Sequence, residues 1–91
     1  MNKSMLDILA CPMDKHYPLE LFQITSEGQI VKEGILFCTS CNRYYLIIDE
    51  IPIMLPDELR EREKERDIEF LKKWQNKIPE KIIKQGNPWH L

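Results

Sequence analysis

The chain has 91 residues, with 13 basic against 15 acidic side chains and a formal net charge of −2, so one compact domain is its natural size. A core this small often needs a metal, a disulfide or a partner to reach adequate stability. The charge balance argues against a strong stand-alone nucleic-acid binder, which presents an uncompensated basic face to phosphates, and the longest strongly apolar run, Tyr44 to Ile48, is far below the roughly 20 residues a membrane helix needs.

In chain order, Met5, Ile8 and Leu9 recur at helical spacing and predict a short helix over Met5 to Ala10, with Ser4 as its cap. Cys11-Pro12 ends it, because proline disfavours helical geometry in the residue before it. A knuckle-like turn over Pro12 to Tyr17 leads through Pro18 into a strand, Leu19 to Ile24. Ser26-Glu27-Gly28 is turn chemistry, with Gly28 free to take a positive φ. Ile30-Val31 and Gly34 to Cys38 return across the first strand. Cys38 to Arg43 forms a second turn, and Tyr44 to Ile48 is the strongest strand signal. After Asp49-Glu50 comes an extended apolar segment, Ile51 to Pro56. Pro52 cannot donate to a ladder, so this segment belongs at a sheet edge or outside the sheet.

Beyond Pro56 the composition changes. Asp57 to Asp67 holds one apolar residue, Leu59, among ten charged ones, and reads as a solvated helix face laced with i,i+3 and i,i+4 pairs. Ile68, Leu71, Trp74 and Ile78 then form an apolar stripe, and Pro79 ends or kinks the helix. Residues 79–84 suggest a last short turn, and Gly86 to Leu91 a non-helical tail carrying His90. The expected architecture is α+β: a zinc-ribbon-like antiparallel sheet of three to four strands, a short N-terminal helix and a longer C-terminal helix. Residues 1–56 make the ribbon-like domain, and residues 57–91 pack on it.

Ligand chemistry is concentrated in Cys11, Cys38 and Cys41. Three cysteines cannot all pair as disulfides, and Met1 to Ser4 begins no secretory signal, so reduced or metal-bound thiols in the cytoplasm are expected. The Cys38-x-x-Cys41 turn lets two thiolates converge on one tetrahedral zinc ion. Beside Cys11, Asp14 falls where a second cysteine would complete the same spacing, and His16 follows two residues later. Histidine is the more usual zinc donor, so the expected set is Cys11, His16, Cys38 and Cys41, with Asp14 as the alternative to His16. The competing reading keeps the thiols as small buried core residues, with Asp14 bracing its turn through backbone N–H groups. No nucleophile stands beside a base, no glycine-rich phosphate loop is present, and four protein ligands leave no open position on a metal. A catalytic role is therefore not expected.

In Tyr44 to Ile48 both alternating sets are apolar, so both faces of that strand need cover. The C-terminal stripe covers one. Ile51, Ile53, Met54 and Leu55 can hardly all be buried in so small a domain; either they pack against the terminal helix, or they stay exposed, and exposed apolar surface of this kind marks an interface. A different class of reading makes the chain a stand-alone zinc-ribbon module that binds RNA or ribosomes, with Tyr44 and Tyr45 stacking bases.

Leu6 to Pro12, Pro18-Leu19, Cys38-Thr39-Ser40-Cys41, Arg43-Tyr44-Tyr45 and Ile51 to Leu55 together resemble the small zinc-ribbon family of methyltransferase activator subunits. That family includes short bacterial zinc-ribbon proteins and the archaeal and eukaryotic partner of methyltransferases that modify tRNA, ribosomal RNA and release factors. The length beyond residue 60 is similar to the archaeal kind. The resemblance implies a cytoplasmic, non-catalytic subunit that forms a heterodimer with a class I, S-adenosylmethionine-dependent methyltransferase. It implies contact with nucleic acid only through that partner. Carried onto this chain, the pairing segment runs from Glu50 to Met54, with Ile51, Pro52, Ile53, Met54 and Leu55 at the contact. Asp14 departs from the family's four-cysteine pattern.

Overall fold

The computed structural model describes residues 1–91. Its centre is one antiparallel sheet in the order β1-β2-β3-β4, with β1 at Glu20–Glu27, β2 at Ile30–Phe37, β3 at Tyr44–Ile48 and β4 at Ile51–Pro52. Gly28 turns β1 into β2 at φ 60°, a conformation that costs glycine nothing. The β3–β4 hairpin uses no glycine. Asp49 (φ 54°) and Glu50 (φ 70°) both occupy the left-handed region, the sign pattern of a type I′ turn. That turn folds Ile51 back against Ile48 and sets Pro52 opposite Ile47.

Both faces of the sheet are covered. Alternation along β3 sends Tyr44 and Leu46 to one side, where they pack with Ile35 and Phe37 of β2 and with Phe70, Leu71, Ile78 and Ile82 from the C-terminal half. Tyr45 and Ile47 go to the other side and join Met1, Cys11, Leu19, Val31, Leu36 and Cys38. Val31 and Leu36 share that side despite their opposite parity, because the β1–β2 register shifts between Gln23 and Ser26. Full burial of side chains of this size contributes about 1.5–3 kcal/mol each, so each face has its own apolar layer.

The N-terminal turn differs from expectation. It is a 3₁₀ helix over Lys3–Asp7, capped by Asn2, whose Oδ1 accepts from Ser4 N at 3.0 Å. One turn is too short to sustain α-geometry, and asparagine caps as well as serine. The C-terminal helix is also segmented. It comprises α1 (Asp57–Arg60), a 3₁₀ turn (Glu61–Glu63) and α2 (Lys64–Trp74), and α3 (Glu80–Gln85) follows. It stops at Trp74, ahead of Pro79, and the break lets Ile78 and Ile82 reach the core. Pro79 then opens α3, a position where its missing N–H is harmless.

The charged run is not wholly solvated. Arg60 is 3 % exposed and Asp67 1 % exposed. They form an ion pair of 3.0 Å, and Arg60 Nη1 also donates to the Tyr44 carbonyl. The guanidinium lies 4.7 Å from the Tyr44 ring centre and 5.7 Å from that of Trp89, whose indole N–H donates to Asp67 Oδ2 at 3.2 Å. Desolvation is offset here because both charges find partners.

Candidate metal centre and docking edge

Two loops of the same design carry the cysteines. In the first, Cys11 O accepts from Lys15 N at 2.8 Å and Cys11 N donates to His16 O at 2.9 Å. In the second, Cys38 O accepts from Asn42 N at 2.9 Å and Cys38 N donates to Arg43 O at 2.8 Å. Each loop places its fifth residue in the left-handed region, Lys15 at φ 64° and Asn42 at φ 60°. The hydrogen bonds therefore make Asp14 the counterpart of Cys41, and His16 the counterpart of Arg43.

The donors converge accordingly. One ligand atom from each of Cys11, Asp14, Cys38 and Cys41 lies within 4.8 Å of every other. Cys11 Sγ is 3.7 Å from Cys41 Sγ, and Cys38 Sγ is 3.6 Å from each carboxylate oxygen of Asp14. A tetrahedral zinc ion with Zn–S of about 2.3 Å has S···S edges of about 3.8 Å, so the donor set fits that ion. His16 stands outside the set, with its Nε2 3.3 Å from Thr39 Oγ1.

Local electrostatics suit a cation. The His16 backbone N–H, donating to Asp14 Oδ1 at 3.0 Å, holds the Asp14 carboxyl well below the usual carboxylate range. Burial pushes the Cys38 thiol up to about 12, so it would take the charge of a bound cation to make it a thiolate. Tyr45 Oη sits 3.0 Å from Cys11 Sγ. Burial raises the pKa of that phenol and keeps it protonated, able to donate to sulfur.

Some participants escaped the sequence reading. Asn87, in the tail, donates its N–H to Asn42 O at 2.8 Å and its side-chain amide to Cys41 O at 2.9 Å, and its own carbonyl accepts from Tyr44 N at 3.3 Å. Arg43 grips Asp57 through two nitrogens, at 2.7–3.1 Å. No local sequence signal announces contacts across such separations, although Asn-Pro at 87–88 marks a turn. Tyr44 and Tyr45 are fully buried, so neither presents a ring face on which a base stacks.

At the other end of β3, the expected docking segment lies at the sheet edge. Glu50 is exposed, Ile51 is 62 % exposed, and Pro52, Ile53, Met54 and Leu55 are half-buried. Ile53 N donates to Leu46 O at 2.8 Å, so residue 53 faces the sheet and, by alternation, residues 52 and 54 face outward. Met54 packs against the cysteine-bearing core layer.

A family profile described as Trm112p-like protein matches residues 2–50, a span that contains both knuckles. The chain belongs to the Trm112p-like family. Two UPF0434 proteins are similar over their whole lengths: one from Nitrosococcus oceani, 32 % identical over 68 residues and 75 % of this chain, and one from Methylobacillus flagellatus, 36 % identical over 69 residues and 76 % of this chain. Among solved structures, the Trm112 methyltransferase activator of Haloferax volcanii, determined in complex with a protein assigned as a methyltransferase, superposes with a TM-score of 0.62. It is 40 % identical, and the match covers all of that chain and 66 % of this one. The small α+β architecture of this Trm112p-like chain agrees with that relative, and none of its helices is long and apolar enough to cross a membrane.

Proposed function

We propose that this chain is a non-catalytic activator subunit that binds class I, S-adenosylmethionine-dependent methyltransferases acting on tRNA, ribosomal RNA or release factors in the cytoplasm. The observation that carries the reading is the outer edge of β4, where Ile51 stands 62 % exposed, in a chain 40 % identical to an activator solved in a complex. Glu50, Ile51, Pro52, Ile53, Met54 and Leu55 form the docking surface. Ile51 supplies apolar area, and the outward backbone groups of Pro52 and Met54 add a partner strand to the sheet. The enzyme in turn gains cover for an apolar patch.

The same reading assigns one zinc ion to Cys11, Asp14, Cys38 and Cys41. Zinc would tie two loops together and supply folding energy. Four protein donors leave it no open position, in keeping with a structural role.

Co-expression and affinity capture from the native cell test the activator role. A tagged parent chain is expected to recover class I methyltransferases and to raise their methyl-transfer rate. Ile51→Asp is expected to abolish capture while circular dichroism stays unchanged, since a charge at a desolvated contact costs binding but little at an exposed site. Repeated capture of no methyltransferase by the folded parent would sink the reading.

A further inference from the structure

The residues after 56 lie beyond the span the family profile matches, yet they return to the second knuckle. α3 anchors the return, with Ile82 fully buried. At Gly86 the chain passes so close to the sheet that a Cβ would stand 2.8 Å from Tyr44 Cδ1 and 2.6 Å from Ile82 O. Only glycine permits that approach. Asn87 is thereby delivered to Cys41 and Asn42, where it makes the three hydrogen bonds given above. Beyond it the Trp89 indole is tied to Asp67, and Leu91 N donates to Ile83 O at 3.0 Å. The tail is therefore fixed on both sides of the residue that touches the knuckle.

We propose that residues 86–91 are a clamp that holds the Cys38–Cys41 knuckle in its metal-binding shape, with Asn87 as the positioning residue. The proposal rests on the zinc reading of the site. The two knuckles differ in how they are braced. The first is held from within, by the Asp14 carboxylate receiving the His16 N–H. The second shares the backbone bonds of the first but has a cysteine, Cys41, at the matching position, so it lacks that carboxylate brace. Its carbonyls at Cys41 and Asn42 are held in addition from outside, by Asn87. Ordering a ligand turn in advance lowers the entropy lost when the ion binds. Partners of this outer kind commonly alter metal affinity by about ten- to a hundredfold. Coupling is reciprocal, so whatever factor the tail adds to zinc affinity, zinc must add to the tail's protection.

The test uses the full chain and a chelator competition for zinc. Asn87→Ala is expected to weaken zinc binding by about tenfold. Ile35→Val, a mild core change of comparable destabilisation placed away from both knuckles, is expected to leave it unchanged. In parallel, amide exchange at Asn87 in the parent is expected to slow when zinc is added, while exchange at Ile24 is not. Equal zinc affinity for Asn87→Ala and the parent overturns the clamp and leaves the zinc site standing. Failure of the parent to take up zinc overturns both. Should Asn87→Ala not fold, the exchange comparison on the parent decides, and unchanged protection at Asn87 counts against the clamp.

Discussion

At the first knuckle a carboxyl side chain, Asp14, takes the place that Cys41 holds at the second. The consequence is measurable residue by residue. Asp14→Ala is expected to weaken zinc binding more than about tenfold, because losing a donor exceeds losing an outer partner. His16→Ala is expected to leave it unchanged, since that ring lies outside the donor set. Zinc titration against a chromophoric chelator distinguishes the two. An unchanged constant for Asp14→Ala with a collapsed one for His16→Ala would reverse the assignment. That the three cysteines come together was legible from their spacing alone. The fourth member of the cluster was not, because Asp14 and His16 both sit within reach along the chain. The choice depends on the left-handed turn at Lys15 (φ 64°), which turns residue 14 toward the Cys38 sulfur and residue 16 toward Thr39. Asn42 supplies the same bend with a residue known to tolerate it, whereas lysine at 15 gives no such signal.

At the scale of elements, the charged helical run behaves as an anchor. Asp67→Ala would leave the Arg60 guanidinium buried without its counter-ion, and a loss of about 3–5 kcal/mol in urea unfolding is expected. Replacing both partners, Arg60→Met with Asp67→Leu, is expected to recover most of that loss. A single-variant cost below about 1 kcal/mol would assign the pair to the weak, solvent-screened class. Ten charged residues in eleven read as a solvated face because composition carries no information about which charges meet. What buries Arg60 is a distant requirement: the Tyr44 carbonyl takes its guanidinium donor, and the Trp89 indole closes over the same carboxylate. The strands were readable by contrast, since alternation and turn chemistry are local. The exception is the β3–β4 hairpin, where Asp49-Glu50 adopts two positive φ values without the Asn-Gly signature that normally reveals them.

At the scale of the whole molecule, a sheet of four strands carries two apolar layers. One is built from the C-terminal helices. The other is built from the N-terminal segment and the cysteine loops, and Met54 of the β4 edge packs against it. The need for cover on both faces was visible in Tyr44 to Ile48. The partition was less so, because Phe70 and Ile82 fall outside the stripe that the sequence suggests and yet pack in the core. Between these layers the open border of β4 carries Pro52, which turns an acceptor outward and has no N–H to match it. An identical copy laid against this border in antiparallel fashion would strand a carbonyl opposite a ring, so the molecule is poorly suited to sticking to itself. Pro52→Val is expected to restore the missing donor and to bring concentration-dependent dimers into view by light scattering, with a strictly monomeric variant speaking against that role. Until a partner strand covers it, the greasy border of this chain is thus guarded by a single imino acid.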